Sequence, residues 1–163
     1  VSATPVRHAL AALTSERLVT AHASQGYHVA FWSETELSAL YEWRWQLARL
    51  AAESLGDARP VLSVGDDFSG TIVAVLSALH VCSNAELKRA AVAADERLLA
   101  AYRVEPDVLP QSQRELALLL EALSGGEQRR LALRLRSFFR RRIAHWGAIR
   151  ARAGVKALPR NGD

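Results

Sequence analysis

The 163-residue chain contains no methionine, one cysteine and five prolines, and only 7% of its residues are aromatic. The lone Cys82 rules out an internal disulfide and fits a reducing compartment, so a cytoplasmic protein is expected. Half the residues are apolar, yet no uninterrupted apolar run approaches the roughly 20 residues of a membrane span, and no basic-then-apolar leader opens the chain. No membrane partner is therefore expected. There is no phosphate-cradling glycine loop, no nucleophile elbow and no paired-carboxylate spacing, which speaks against an enzyme. An enzymatic alternative rests only on a metal held around Asp67. The five histidines, His8, His22, His28, His80 and His145, form no i,i+4 pair, so neither a metal nor any other cofactor is expected. What the chain does have is a net charge of +4 and a pI near 9.8. That leans toward an anionic partner, although the arginine excess is concentrated between Arg129 and Arg142.

The first 31 residues carry the strongest local signal. Ser2 or Thr4 can cap a helix through a side-chain oxygen, and Pro5 suits the first helical position, where its missing N–H costs nothing. Val6, Ala9, Leu10 and Leu13 recur at helical spacing. Leu18 to Ala21 and Tyr27 to Phe31 are short runs rich in β-branched and aromatic residues, and the stretch from His22 to Gly26 supplies turn chemistry between them. This predicts one helix and a two-stranded wing.

The rest of the chain reads as helices. Ser33 and Glu36 make a capping box for a helix over about 34–55, and Gly56 to Asp67 reads as a loop. Thr71 to His80 is an apolar helix, and Ser83 or Asn84 caps another that runs to about Tyr102. After a loop from Val104 to Pro110, helices over about 111–123 and 127–152 are split by Gly125 and Gly126. The predicted fold is mainly α, with a partial winged helix-turn-helix at 1–31, an antiparallel helical bundle at 34–153 and a flexible tail at 154–163.

On a helical wheel, Leu37, Leu40, Tyr41, Leu47, Ala48, Ala51 and Leu55 form one apolar stripe, and Arg44 lies near its middle. In the last helix Leu131, Leu135, Phe138, Phe139, Ile143, Trp146 and Ile149 form another, with Arg142 inside it and His145 at its edge. A guanidinium on a core-facing stripe needs an anion. Internal carboxylates (Glu53, Asp67, Asp95, Glu115 or Glu121) are one source, and a ligand carboxylate or phosphate is the other. The ligand alternative predicts a shared cavity in which Arg44 and Arg142 bind the anion, with Tyr41 and His145 as supporting donors. The outward arginines of the last helix suit either a solvated face or a nucleic-acid footprint. Trp32, Trp43, Trp45 and Trp146 are read as core or dimer-contact residues.

Several blocks together resemble a known family. Val1 to Leu13, then Leu18-Val19 and Gly26-Tyr27-His28-Val29, are similar to the recognition helix and wing of GntR-family bacterial transcription regulators. Glu36-Leu37 through Leu40-Tyr41-Glu42-Trp43-Arg44 to Ala51-Ala52 resembles the opening helix of the all-helical FCD domain of the FadR branch. Cys82-Ser83-Asn84-Ala85-Glu86-Leu87 and Leu119-Leu120-Glu121-Ala122-Leu123-Ser124-Gly125-Gly126 resemble later blocks of that domain. The resemblance implies a homodimer that places two recognition helices on a double-stranded DNA operator and answers to a small effector. In that setting Arg7 reads a base edge, while Ser2, Thr4 and Gly26 touch phosphates. An alternative is a helical sensor or interaction protein that no longer binds DNA.

The departures from the family are as informative. The chain opens at the turn before the recognition helix, so the two preceding helices are expected to have been cut away, proteolysed or disordered. Arginine, frequent in the family where Ala3 stands, is missing. The stretch from Leu55 to Asn84 is short for the family's usual pair of helices. Many FCD domains hold a metal with an aspartate and three histidines, and the matching positions here are Thr71, Val75, Leu116 and Ser137 or Phe138. None of these side chains makes a metal first shell.

Overall fold

The structure is a computed structural model and describes residues 3–22, 26–29, 32–33, 35–56, 58–62 and 65–157. It is mainly α-helical, with one antiparallel hairpin, and divides into two units, Val1–Ser33 and Glu34–Asp163.

The first unit consists of α1 (Ala3–Ser15), β1 (Val19–His22) and β2 (Gly26–Val29). Thr4 lies inside α1 rather than capping it, and Pro5 falls in its first turn, where no helical N–H bond is lost. The helix ends in a Schellman arrangement: Leu18 N donates to Leu13 O at 2.9 Å and Arg17 N to Thr14 O at 3.0 Å. That motif needs a left-handed residue, and Arg17 supplies it at φ 59°. A non-glycine residue there costs about 1 kcal/mol and turns the chain straight into β1. The strands pair in register from Val19 opposite Val29 to His22 opposite Gly26. Of the apolar stripe predicted for α1, only Leu10 is half-buried; Val6 is 54% exposed, and a lone hairpin is too small to cover a whole helix.

The second unit comprises α2 (Glu36–Leu55), α3 (Phe68–Ala78), α4 (Ala85–Tyr102), α5 (Glu105–Val108), α6 (Ser112–Gly125), α7 (Gln128–Ala144) and α8 (Trp146–Ala157). Helix α2 packs against α4, α7 and α8, α6 against α7, and α3 against α4. The predicted stripe of α2 is buried along its length, and Leu131, Leu135, Phe138 and Phe139 of α7 meet the same core. Phe138 and Phe139 meet edge to face at 5.2 Å, and Trp45 lies against Phe139 with its ring tilted by 42° at 5.9 Å. Trp43, by contrast, is half-exposed.

Several boundaries correct the sequence expectation. Helix α2 starts at Glu36 with Thr35 as its N-cap and no side-chain cap bond there, two residues after the Ser33 expected to cap it. Glu36 meets Arg97 of α4 at 2.8 Å. Helix α3 begins three residues earlier than expected because Asp67, read as loop, caps it: its Oδ1 accepts from Gly70 N at 2.6 Å. Asn84 caps α4 through Leu87 N at 2.8 Å, as its sequence pattern predicts. The segment read as a loop after Val104 contains the one-turn α5. Gly125 stays helical, and the break falls at Gly126, left-handed at φ 70°. The predicted helix over 127–152 is two helices that part at His145, two residues before the weak helix former Gly147. The described part of the predicted tail, up to Ala157, is helical.

Candidate functional site

In the first unit, Thr4 and Arg7 are exposed one turn apart on α1. Gly26 begins β2 at φ 79°, a left-handed conformation that suits glycine. Ser2 lies outside the described residues.

In the second unit, the two core arginines find protein carboxylates. Arg44 donates Nε to Asp95 Oδ1 at 2.7 Å and Nη2 to Asp95 Oδ2 at 3.1 Å, a bidentate pair with the guanidinium fully buried. Tyr102 donates its hydroxyl to the same Oδ1 at 2.9 Å. Arg142 donates Nε to Glu105 Oε2 at 2.9 Å and Nη1 to Glu115 Oε2 at 3.1 Å and to Phe138 O at 2.9 Å. Its Nη2 lies 2.7 Å from Glu105 Oε2 as an ion-pair contact without hydrogen-bond alignment. The same guanidinium sits 3.3 Å from the Phe138 ring centroid, a cation–π contact. Tyr41 donates to Glu105 Oε1 at 2.7 Å, and its ring lies 6.4 Å from that of Tyr102, so the two ion pairs adjoin. Burial raises both phenols well above their usual pKa. It also pushes the Glu105 carboxyl up, against the pull of Arg142 and the Tyr41 hydrogen bond.

This geometry corrects the expectation of a shared anion cavity. Both guanidiniums are consumed by Asp95, Glu105 and Glu115, because a buried cation in a helical core is neutralised at the least cost by carboxylates on neighbouring helices. Tyr41 does join Arg142, but as a donor to Glu105 rather than to open space. His145 is exposed at the α7–α8 break, its Nδ1 2.9 Å from Arg141 O. Of the carboxylates the sequence offered, Asp95 and Glu115 serve the core arginines, while Glu53 pairs with Arg49 and Glu121 with Arg130 on the surface. Glu105 was missed, since a four-residue helix leaves no periodic trace. Pro106 immediately after an acidic residue was its one available signal.

A second feature lies beside this network. Arg44 Nη1 approaches His80 Nε2 at 3.4 Å. An arginine N–H can only donate, so Nε2 is the acceptor and the neutral ring carries its proton on Nδ1. Burial, then the charges of Arg44 and Lys88, lowers the His80 pKa to about 4. The ring is 4% exposed and its Nδ1 has no hydrogen-bond partner among the described residues. His80 forms part of the wall of a cleft of about 730 Å³ between α3 and α4, whose other polar lining includes Lys88 and Asp95.

The positions weighed in the sequence as metal ligands hold other structure. Val75, Leu116 and Phe138 are buried in the core, and the Thr71 hydroxyl is bonded to Asp67 O at 2.8 Å. Among the described residues no three His, Cys, Asp or Glu side chains gather as a metal-binding group, and no helix is long and apolar enough to cross a membrane.

No family model and no curated protein matches the chain. Among solved structures it is similar to a crystal structure of a GntR-family transcriptional regulator from Pseudomonas syringae pv. tomato str. DC3000. The likeness covers 97% of this chain and 75% of that one, with a TM-score of 0.53 and 20% sequence identity. At that identity the likeness establishes the fold: a helix and hairpin followed by an all-helical unit.

Proposed function

We propose that the chain carries the recognition helix, wing and FCD-like sensor of a cytoplasmic, homodimeric transcription regulator. In this reading α1 of each subunit enters a major groove of a palindromic DNA operator, and Arg7 contacts a base edge, typically guanine O6 and N7. Ser2, Thr4 and the backbone at Gly26 meet phosphates. A small acidic effector bound in the helical unit favours one dimer geometry by a few kcal/mol and so controls operator binding. The observation that carries the reading is the exposed Arg7 on a helix leading directly into a hairpin, in a chain whose fold is similar over 97% of its length to that of a transcriptional regulator.

The test uses the natural full-length protein and an operator selected from random DNA. Arg7→Ala is expected to cost about 1–3 kcal/mol at the selected site and to change binding to random DNA little. Equal weakening on both would make Arg7 a phosphate contact. Failure to select any sequence would favour a helical sensor that does not bind DNA.

A further inference from the structure

Helix α3 has two apolar faces. Ile72, Val75, Leu76 and Leu79 point into the core. Ala74, Ser77 and Ala78 lie on another side and, with Val81 just past the helix end, line a cleft whose wall on α4 is Lys88, Ala91, Val92 and Asp95. The alanines make the space. Where two packed helices ordinarily interdigitate Leu or Ile, three methyl groups leave about 730 Å³ open, within the range of small-molecule sites. Pro60 and Val61 of the preceding loop complete the apolar lining, and Val61 is 97% exposed.

The charges in the wall set the occupant. Asp95 lines the cleft, but its two oxygens already accept three hydrogen bonds, from Arg44 twice and from Tyr102. That ion pair contributes no net charge, and His80 is neutral. Among the described residues that line the cleft, Lys88 is the cation that remains, and its ammonium donates to the Val81 carbonyl at 3.3 Å. The buried His80 Nδ1–H is a donor with no acceptor among the described residues, an unmade bond that is ordinarily costly. The cleft thus offers an apolar body and one positive charge, with one unspent donor buried in the residue that forms its wall.

We infer that the α3–α4 cleft binds a small monocarboxylic acid with an apolar chain or ring, its carboxylate held between Lys88 and His80. This gives the effector of the proposed regulator a place and a chemical class, and it rests on that reading for its biological role. The binding itself needs no DNA.

The probe is octanoate, titrated calorimetrically into the full chain, with octanol and octylamine as controls of matched length. Octanoate is expected to bind at least about tenfold more tightly than octanol, and octylamine not to bind, because only the anion satisfies both donors. Lys88→Gln, at an exposed position, weakens octanoate by about tenfold without altering the circular dichroism. Val92→Trp, also at an exposed position, fills the cleft and abolishes binding. The inference is overturned if the three amphiphiles bind alike, if octanoate is indifferent to either substitution, or if no heat appears at millimolar concentration. Any of these leaves the Arg7 experiment untouched, and loss of operator binding with octanoate binding intact overturns only the DNA reading.

Discussion

On helical periodicity alone, methionine suits position 44, a long apolar side chain on an apolar stripe. The geometry predicts the opposite. Arg44→Met removes both guanidinium bonds to Asp95, at 2.7 and 3.1 Å, and the weaker contact with His80. Asp95, 4% exposed, is left with only the Tyr102 hydroxyl at 2.9 Å. Breaking a buried pair by deleting one partner costs about 3–5 kcal/mol, because the remaining charge stays buried and uncompensated. Against a typical domain stability of about 5–15 kcal/mol, a third or more of the total is lost. Adding Asp95→Asn removes the stranded charge while keeping an acceptor for Tyr102. The double variant is therefore expected to recover about 2 kcal/mol of that loss. Urea unfolding followed by circular dichroism measures all four members of the cycle. If Arg44→Met costs less than about 1 kcal/mol, or if the two losses simply add, the pair does not carry the core polarity as argued.

Three further outcomes follow from the same coordinates. The His80 pKa is lowered from 6.5 to about 4, so its contribution is fully present above pH 6.5 and is lost as the unfolded state takes up a proton on acidification towards pH 4. The fall totals about 3 kcal/mol, and in urea titrations at several pH values His80→Gln should flatten the profile by that amount; superimposable profiles would refute it. Asn84→Ala deletes the cap bond to Leu87 N and should cost about 0.5–2 kcal/mol, whereas Thr35→Ala, at a cap without a side-chain bond, should stay within about 0.5 kcal/mol in thermal melts. Gly126→Ala forces a side chain into a left-handed position and places its Cβ 3.0 Å from Arg59 Nε; a loss of about 1 kcal/mol is expected, and an unchanged Tm would contradict it.

What the sequence revealed depended on the range of the interaction. Asn84 was legible as a cap because its partner is three residues away, and the stripe of α2 because a helix repeats its own face. Arg44 and Arg142 were legible as core residues for the same reason. Which carboxylate each one meets was not, since Asp95 and Glu105 lie 51 and 37 residues away on other helices; Asp95 was one of five candidates and Glu105 was not among them. A periodicity fixes which way a side chain faces but says nothing about which carboxylate waits there. Glu36 likewise meets Arg97 across the bundle, a partner 61 residues away that no local pattern points to.

The same limit explains why the sequence looked for an anion between Arg44 and Arg142. It sought the anion where cations face the core, but a buried guanidinium must be neutralised for the domain to fold at all, with or without ligand. A cation free to recruit a ligand has to stand at a rim, where water stabilises it in the empty state. Lys88 meets that condition on α4, at the mouth of a cleft whose inner wall is the neutral His80. The buried Arg44–Asp95 pair acts one layer further in: Arg44 assigns the tautomer that leaves the His80 Nδ1–H unspent, and Asp95 cancels the charge that would otherwise compete for the anion. The core arginine thus bears on recognition through its neighbour, and substituting it would alter stability first and ligand preference second.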